Sequence, residues 1–307
     1  MPIFVTNRDE CGKDARNKKK ETMKTKIIRN WIVPTGQQPT EMDKKILHYQ
    51  NSGCLVPKRR LILNDEQIEG IRRSSAVNTG VLDEVAKHIK AGMSTEEIDQ
   101  IVYKYTTDHG AIPADLNYEG YPKSVCTSVN EVVCHGIPNP DEILQEGDIV
   151  NVDVSTILDG YYSDASRMFI IGKTTPEKER LVKVAKECLE IGAAAAQPYG
   201  FVGDIGNAIA NHAHKNGYSV VEEFCGHGVG LKFHDDPEVV HYGRKHTGML
   251  LVPGMVFTIE PMINMGVKEV FIDEDDDWTV VTEDELPSAQ WEHTFLMTEK
   301  GLEVLSW

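Results

Sequence analysis

The sequence predicts an α+β fold made of two pseudo-symmetric halves, with a central antiparallel sheet and helices on the outside. Two observations predict it. The order helix, helix, strands occurs twice, at about 64–174 and 175–307, which indicates a duplication of element order without a repeat of individual residues. Short runs of apolar and β-branched residues follow the helices and are typical of strands. The junction of two such halves is a natural place for a catalytic cavity.

The first half begins with two predicted helices. Asn64 is a polar N-cap followed by acidic residues, and apolar side chains then recur at helical spacing up to Gly92. Ser94 and Glu97 form a capping box at the start of a second helix. The stretch 123–171 then changes to short β-rich runs, which predict strands.

The second half repeats this order. Pro176 occupies a first-turn position, and the helix that it opens is expected to end before Pro198. A fourth helix is predicted from about 202 to 216, and strand-like segments follow it. The two halves therefore have the same sequence of elements.

Charge divides the chain into an N-terminal extension, residues 1–63, and an acidic body, residues 64–307. The extension holds 14 lysine and arginine residues against 6 aspartate and glutamate residues, a net charge of +8. Since the whole chain has a net charge of −16, the body carries −24. We expect the extension to be solvated or partly disordered, and contact with a polyanion is the alternative. The acidic body gives no support for nucleic-acid binding by that region.

Several features indicate a cytoplasmic protein without a membrane partner. No run of about 18 apolar residues is present. The first residues lead into charged side chains instead of the apolar core of a signal peptide. The six cysteines contain no Cys-x-x-Cys pair and are spread over more than 200 residues, which fits reduced thiols better than a disulfide framework.

The most informative segment is 149–170, where Asp159 and Gly160 separate two strand-like runs. Asp-Gly in this position is a strong signal of a two-residue hairpin turn. In the register that this turn sets, Asp153 and Asp164 lie on one face, with Cβ atoms about 7–8 Å apart or less. A carboxylate inside an apolar strand is costly unless it is paired or binds a cation, so we interpret the two as metal ligands. Two ordinary surface aspartates are the alternative.

Three segments of the second half contribute further side chains that bind metals. His227 lies among glycines, which allow the backbone to approach a ligand closely. Glu260 and Glu292 each lie in an apolar, strand-like segment. Each residue alone could be structural, but four carboxylates and one histidine together describe an oxygen-rich site. Such a site suits two divalent cations of the Mn, Fe or Co kind better than one zinc held by Cys and His.

Other catalytic classes have weaker support. Cysteine-based nucleophilic catalysis is the competing hypothesis, because Cys126, Cys134 and Cys225 have histidines nearby in sequence. Proximity along the chain is poor evidence for a catalytic dyad, however. The sequence contains no Gly-x-Ser-x-Gly elbow, Walker A loop or His-Glu-x-x-His helix, which disfavours serine, nucleotide and zincin chemistry.

The segment 121–138 resembles the first signature of the type I methionine aminopeptidases of peptidase family M24. The segments around His227, Glu260 and Glu292 match the remaining motifs in order and spacing, and the resemblance covers residues 64–307. It implies the pita-bread fold, which agrees with the duplicated α+β prediction. It also implies that this region is the catalytic domain, with the N-terminal extension outside it.

The resemblance assigns roles to individual residues. The metal ligands that it implies are Asp153, Asp164, His227, Glu260 and Glu292. It implies two divalent ions per chain, drawn from Co, Mn, Fe(II), Zn or Ni, with Asp164 and Glu292 bridging them. Glu260 is the family's usual candidate for proton transfer from the attacking water.

The resemblance also implies a substrate site. His135 is similar to the histidine beside the substrate's amine and scissile bond, and His234 to the one that hydrogen-bonds the peptide and stabilises the tetrahedral intermediate. The residues expected to contact the substrate are Tyr118, Tyr121, Cys126, His135, Phe233, His234 and Trp278. An apolar, polarizable lining suits a thioether, although ordinary core packing is the alternative for any single aromatic residue. The implied activity is removal of the initiator methionine from nascent polypeptide N-termini, with preference for a small second residue.

Relatives on the same fold are less well matched. The span from His234 to Glu260 lacks the long helical insertion of the type II enzymes. Every ligand position is filled, which disfavours a metal-less binding protein, and an Xaa-Pro peptidase remains the alternative if no methionine is released. The acidic run 273–277 is either a solvated loop or a bias toward basic nascent chains. We expect a monomer, and the charge of the extension suggests the hypothesis that it contacts the ribosome.

Overall fold

The structure, a computed structural model, describes residues 30–307. The predictions for residues 1–29, which include partial disorder and ribosome contact, lie outside this range. The five helices within it are α1 (Glu41–Asn51), α2 (Asp65–His88), α3 (Thr95–Asp108), α4 (Pro176–Ala195) and α5 (Val202–Lys215). Two short 3₁₀ turns occupy Arg59–Leu61 and Tyr118–Gly120. The four predicted helices are therefore present, with boundaries within a few residues of those expected.

Local capping explains where these helices begin. The Asn64 side chain accepts a hydrogen bond from the Gln67 backbone N–H at 2.9 Å, and the Gln67 side chain accepts from the Asn64 N–H at 3.0 Å. Ser94 caps α3 in the same reciprocal way. Such caps satisfy backbone donors that have no partner inside the helix. Pro176 begins α4 because its missing N–H is not needed there.

The strands form four antiparallel sheets. Their bounds are β1 (Ile112–Pro113), β2 (Cys126–Val129), β3 (Val132–Cys134), β4 (Ile149–Leu158), β5 (Tyr161–Ile170), β6 (Ser219–Val220), β7 (Gly226–Gly228), β8 (Asp235–Val239), β9 (Val256–Ile259), β10 (Met262–Asn264), β11 (Val270–Ile272), β12 (Val280–Thr282), β13 (Ser288–Gln290), β14 (His293–Thr298) and β15 (Gly301–Ser306). In the first half β4 pairs with β5 on one edge and with β1 and β2 on the other. In the second half the order is β15-β14-β9-β7-β8. The sheets β13-β10-β6 and β11-β12-β3 complete the molecule.

Backbone hydrogen bonds join the two halves at several places, and one of these places includes the predicted site residue Glu292. Ser166 in β5 and Glu292 form an isolated antiparallel bridge, with both N–H to O distances at 3.2 Å. Beside it, the Thr294 hydroxyl donates to the Asp164 carbonyl at 2.7 Å. The β4–β5 hairpin therefore contacts β14 directly, and residues from both halves meet along this line.

Two apolar cores lie under the helices. In the first half, α2 and α3 bury Leu82 and Ile98 against the sheet residue Val152. In the second half, Leu181 and Ile209 of α4 and α5 belong to a larger core. Each fully buried Leu or Ile contributes about 1.5–3 kcal/mol of transfer free energy. The helices thus anchor the sheets whose inner ends carry the site.

Residues 30–63 also contribute to the larger core. Trp31, Ile46 and Val56 are buried there, and α1 is capped by Thr40. Apolar periodicity did not predict this helix. The domain boundary at residue 63 stays a prediction. Residues 30–63 of the extension nevertheless pack against the body.

Two further features concern the cysteines and the helices. All five cysteines among residues 30–307 are free thiols. None of the helices in that range combines the length and the apolar character that crossing a bilayer requires.

Candidate active site

One cavity of about 250 Å³ lies between the two halves. All the site residues predicted from the sequence line it: Tyr118, Tyr121, Cys126, His135, Asp153, Asp164, His227, Phe233, His234, Glu260, Trp278 and Glu292. They come from parts of the chain more than 170 residues apart. The structure therefore brings together every predicted site residue.

The β4–β5 hairpin supplies Asp153 and Asp164. The predicted register is confirmed, because Asp153 pairs with Ser166 and Ser155 pairs with Asp164. The turn residue Asp159 has a φ of 53°, a conformation that a two-residue hairpin turn requires. The Ser155 hydroxyl donates to Asp164 Oδ1 at 2.9 Å and so fixes that carboxylate. The hairpin turn thus sets the register that directs the Asp153 and Asp164 carboxylates toward one point.

His227 reaches the same point from β7. Its Nε2 lies 3.6 Å from Asp164 Oδ2 and 3.7 Å from Glu260 Oε1. Its Nδ1 lies 3.2 Å from the Gly228 carbonyl, which can only accept, so Nδ1 carries the proton and Nε2 offers a lone pair. Gly228 has no room for a side chain, because a Cβ there would collide with the Asp236 carbonyl.

Glu260 and Glu292 complete the cluster. The Thr258 hydroxyl donates to Glu260 Oε1 at 2.7 Å, and the Gln290 amide donates to Oε2 at 3.3 Å. Thr258 also accepts from the His227 backbone N–H at 2.9 Å, so one hydroxyl aligns two neighbouring site residues. Ligand atoms of Asp164, His227 and Glu292 lie within 4.8 Å of one another.

The crowded carboxylates of the cluster favour the binding of a cation. Asp153 Oδ1 and Glu292 Oε1 are buried and accept no hydrogen bond from the described residues. Burial raises the pKa of all four carboxyl groups, and neighbouring carboxylates raise the pKa of Asp164, Glu260 and Glu292 further. The described residues that line the cavity include neither lysine nor arginine. Divalent cations bound by these oxygens and the His227 nitrogen would satisfy the orphaned acceptors and balance the charge.

Two further histidines lie beside this cluster. His234 Nδ1 is 3.0 Å from the Tyr118 hydroxyl, and the His234 ring lies 4.2 Å from that of His227. Burial lowers the pKa of His234 to about 2, with a smaller contribution from the neighbouring histidines. His135 packs edge-on against Phe224 and Trp278, and burial lowers its pKa to about 4. Both rings are therefore neutral near pH 7.

The cavity also has an aromatic end, which is formed by Tyr118, Tyr121, Phe233 and Trp278. Tyr121 and Trp278 pack edge to face with centroids 5.1 Å apart, and Phe233 packs on Tyr118 at 4.8 Å. The Tyr121 hydroxyl lies 2.9 Å from the Gly136 carbonyl, so its polar end is satisfied and its ring faces the cavity lining. Cys126 is buried beside them and pairs with Asp153 across the strands.

Sequence reasoning missed several residues of the cavity. Asp115 is buried beside the aromatic end, and its Oδ2 accepts from the Ser155 N–H at 3.2 Å. His241 Nε2 accepts from the Glu260 N–H at 3.2 Å. Thr258 and Gln290, described above, hold Glu260. Thr258 precedes Glu260 by two positions and so shares its strand face, which is the one signal that could have identified it.

Comparison with protein families identifies the chain. Residues 69–299 match the family described as metallopeptidase family M24. The chain belongs to metallopeptidase family M24. Among its relatives, methionine aminopeptidase A of Synechocystis is 49% identical over 245 residues, which cover 80% of this chain and 96% of that protein. The Escherichia coli methionine aminopeptidase is 46% identical over 246 residues, 80% and 93% of the two chains.

Solved structures agree with this assignment to family M24. The Rickettsia prowazekii methionine aminopeptidase superposes with a TM-score of 0.79 at 43% identity, covering 80% of this chain and 99% of that one. The Pyrococcus furiosus prolidase, at 22% identity and a TM-score of 0.66, shares the fold. The predicted pita-bread fold and the resemblance to type I methionine aminopeptidases are confirmed, and the chain is a metallo-aminopeptidase.

Proposed function

We propose that this enzyme removes the initiator methionine from other polypeptides by hydrolysing their first peptide bond. The cavity carries the proposal, because its lining combines acids and histidines with aromatic and sulfur side chains. An N-terminal methionine has two matching groups, a cationic amine next to the scissile bond and an apolar thioether. The acids attract the amine, and the polarizable side chains suit the thioether.

We propose that Asp153, Asp164, His227, Glu260 and Glu292 would hold two divalent ions in the cavity. The orphaned buried oxygens of Asp153 and Glu292 support this proposal. When bound, divalent ions supply Lewis-acid chemistry that activates a water molecule and polarises the scissile carbonyl. The oxygen-rich set accepts Co, Mn, Fe(II), Zn or Ni, and availability selects among them.

Glu260 is the proposed proton acceptor for the attacking water. Both of its oxygens are oriented by hydrogen bonds, from Thr258 at 2.7 Å and from Gln290 at 3.3 Å. The carboxylate is therefore held in one rotamer, which general base catalysis needs. The distance of 3.7 Å between Glu260 Oε1 and His227 Nε2 supports its inclusion among the proposed ligands.

His234 and His135 are proposed to bind and stabilise the reacting peptide. If the Tyr118 hydroxyl donates to His234 Nδ1, the proton of the neutral ring lies on Nε2, which can donate to a carbonyl or to the oxyanion. His135 lies at the rim between Phe224 and Trp278, beside the expected position of the substrate amine. A neutral imidazole there does not repel the amine.

The methionine side chain is proposed to lie against Tyr118, Tyr121, Cys126, Phe233 and Trp278. These side chains enclose a small apolar volume at one end of the cavity. Residues after the methionine are proposed to extend toward the opening, and a small second residue is proposed to be preferred. Nascent polypeptide N-termini in the cytoplasm are the proposed substrates. We propose that the enzyme acts as a monomer, since one chain supplies every residue of the site.

We also propose that the basic N-terminal extension contacts the ribosome. Its net charge of +8 is the supporting observation. Changing Lys18, Lys19 and Lys20 to Gln should weaken co-sedimentation with ribosomes, and the loss should grow with salt concentration. Equal co-sedimentation of the two proteins across a salt series would contradict this proposal.

Methionine release tests the proposed function. Metal-stripped protein is incubated with Met-Gly-Met-Met, before and after addition of Mn, Co or Fe(II), and free methionine is measured by amino-acid analysis. We expect release only with metal, and none from the matched peptide Leu-Gly-Met-Met. Activity on an Xaa-Pro peptide instead would assign the chain to the prolidase-like branch. No release with any metal would reject the proposal.

A further inference from the structure

A short basic segment runs alongside the loop that carries His234. The Leu63 backbone N–H donates to the Gly254 carbonyl at 2.9 Å, which fixes the end of this segment on the body. Lys58 and Arg60 precede it and belong to the predicted extension, whereas His234 belongs to the cavity. The two stretches are about 175 residues apart in sequence, so their contact is purely tertiary.

Ion pairs join the segment to the loop. Both guanidinium nitrogens of Arg60 contact the Asp235 carboxylate, with Nη2 to Oδ1 at 2.7 Å. Arg60 Nη2 also lies 3.5 Å from Asp236 Oδ2, and Lys58 Nζ lies 3.3 Å from the same oxygen. A two-pronged arginine–carboxylate pair fixes orientation as well as distance, which a lysine cannot do.

The loop is held from its other side by the cavity wall. His234 Nδ1 is bonded to the Tyr118 hydroxyl at 3.0 Å, and the ring stacks on Phe233 with centroids 4.3 Å apart. Only one peptide unit separates His234 from Asp235. A shift of the Asp235 backbone therefore moves the His234 ring relative to His227, whose ring lies 4.2 Å away.

Apolar packing contributes little to the contact between segment and loop. A groove of about 180 Å³ lies between them, with Leu63 and Leu231 among its lining residues. Leu231 is 44% exposed, so the loop is not buried against the segment. The charged pairs thus restrain this face in addition to the pairing of β8 with β7, in which Asp235 lies opposite Gly228.

We propose that Arg60, assisted by Lys58, is a positioning residue for His234 and that the end of the extension thereby tunes the reaction. This inference rests on the proposed function for its catalytic consequence. The restraint acts on the loop backbone, so its loss should lower turnover while leaving substrate binding in the aromatic end nearly unchanged. Misplacement of a catalytic group by a fraction of an ångström is enough to slow a reaction severalfold.

The test compares three variants of the full-length, metal-loaded enzyme. Arg60→Gln removes the ion pair with Asp235. Arg60→Lys keeps the positive charge but cannot form the two-pronged contact, and Arg72→Gln is the matched control. Arg72 forms the same kind of two-pronged pair, with Glu303, at a similar exposure and away from the cavity. Amide hydrogen exchange of residues 231–239 and the steady-state constants for Met-Gly-Met-Met are measured for each.

We expect Arg60→Gln to raise exchange in residues 231–239 at least about threefold and to lower kcat about 3–10-fold, with KM changed less than about twofold. Arg60→Lys should lie between it and the unchanged enzyme, and Arg72→Gln should match the unchanged enzyme. Exchange and kcat of Arg60→Gln equal to those of Arg72→Gln would overturn the proposal. So would faster exchange that spreads equally over β4 and β5, because that indicates general loosening.

The two proposals fail in different ways. If the unchanged enzyme released no methionine with any metal, the proposed function would be rejected, and the exchange rates would still decide whether Arg60 positions the loop. If it released methionine but Arg60→Gln behaved as the control, only the positioning role would be rejected.

Discussion

Buried carboxylates occur in two regions of this molecule with opposite electrostatic surroundings. Asp43 in α1 is 3% exposed and accepts hydrogen bonds from Trp31 Nε1 and the Thr40 N–H, both at 2.8 Å, and pairs with Arg59. Burial opposes its ionisation, but these partners outweigh burial and hold its pKa at about 2. In the cavity, Asp164, Glu260 and Glu292 are also buried and Asp153 is partly buried, yet the pKa values of all four carboxyl groups are raised.

The two regions differ in the charges around the carboxylates, because Arg59 lies beside Asp43 whereas other carboxylates surround Asp164 and Glu292. Every face of the Asp43 carboxylate contacts an N–H, an O–H or a guanidinium group. In the cavity, Asp153 and Glu292 each have an oxygen with no donor among the described residues. An acid paired with a cationic side chain stabilises the fold, whereas crowded carboxylates with no lysine or arginine among the described residues of the cavity lining keep the site ready for a cation. Four experiments test this distinction.

The largest expected effect is on activity. Asp164→Ala should reduce methionine release at least about 100-fold, because second-shell changes around metal sites already cost 10–100-fold and Asp164 lies in the ligand cluster itself. Asp159→Asn, at the exposed turn of the same hairpin, is the control and should stay within about twofold. If Asp164→Ala kept more than a tenth of the activity, the proposed role of Asp164 in the catalytic site would be wrong.

The next effect is on stability. Asp43→Ala should lower the free energy of unfolding by about 3 kcal/mol, because it leaves Arg59 and Trp31 without their buried partner and removes a helix cap. Urea unfolding measures the change. Glu41→Ala, in the same first turn but exposed, should change stability by less than about 0.5 kcal/mol. Equal effects of the two substitutions would contradict the distinction.

Removing a charge from the cavity should have the opposite sign. In metal-free protein, Asp153→Asn should raise the free energy of unfolding by about 1 kcal/mol, because it relieves repulsion among the buried carboxylates. In the presence of excess divalent metal the same variant should be less stable than the unchanged protein, since it binds the ion more weakly. Thermal unfolding with and without chelator gives both values. A variant that is destabilised without metal would show that Asp153 has an internal partner.

The smallest effect is a pH dependence confined to Asp43. Its folded pKa, about 2, is below the ordinary value of 3.8, so its contribution is present above about pH 4 and is lost as pH falls toward 2. The stability difference between the unchanged protein and Asp43→Asn should therefore shrink between pH 5 and pH 3. Urea midpoints at these two pH values, taken with metal-free proteins, check it. A constant difference would mean that the Asp43 charge does not contribute.

The sequence predicts those features that depend on local chemistry. Asp159 and Gly160 set a turn, and the turn sets the register that aligns Asp153 and Asp164, so this part of the site follows from a short segment. The caps of α2 and α3 are equally local. The roles of the other site residues were predicted from the resemblance to a known family. That prediction is specific, because several motifs occur in the family's order and spacing.

Long-range partners were not predictable in this way. Asp115 reaches the cavity only because the loop after β1 lies against β4, and His241 reaches Glu260 only through the packing of the second half. No local pattern marks either residue. The helix α1 was also missed, although Thr40 and Asp43 form a capping box, because the surrounding Gly and Pro residues weaken its apolar periodicity.

The bridge between Ser166 and Glu292 has a consequence for biosynthesis. Because Asp164 and Glu292 are separated by 128 positions in the chain, the proposed ligand set cannot assemble until almost all of the polypeptide has left the ribosome. A half-made chain therefore cannot act as a peptidase on its neighbours. The same arrangement suggests a reconstitution experiment with two separately expressed fragments, divided in the loop before α4. We expect the mixture to regain activity only when Ser166 of one fragment pairs with Glu292 of the other.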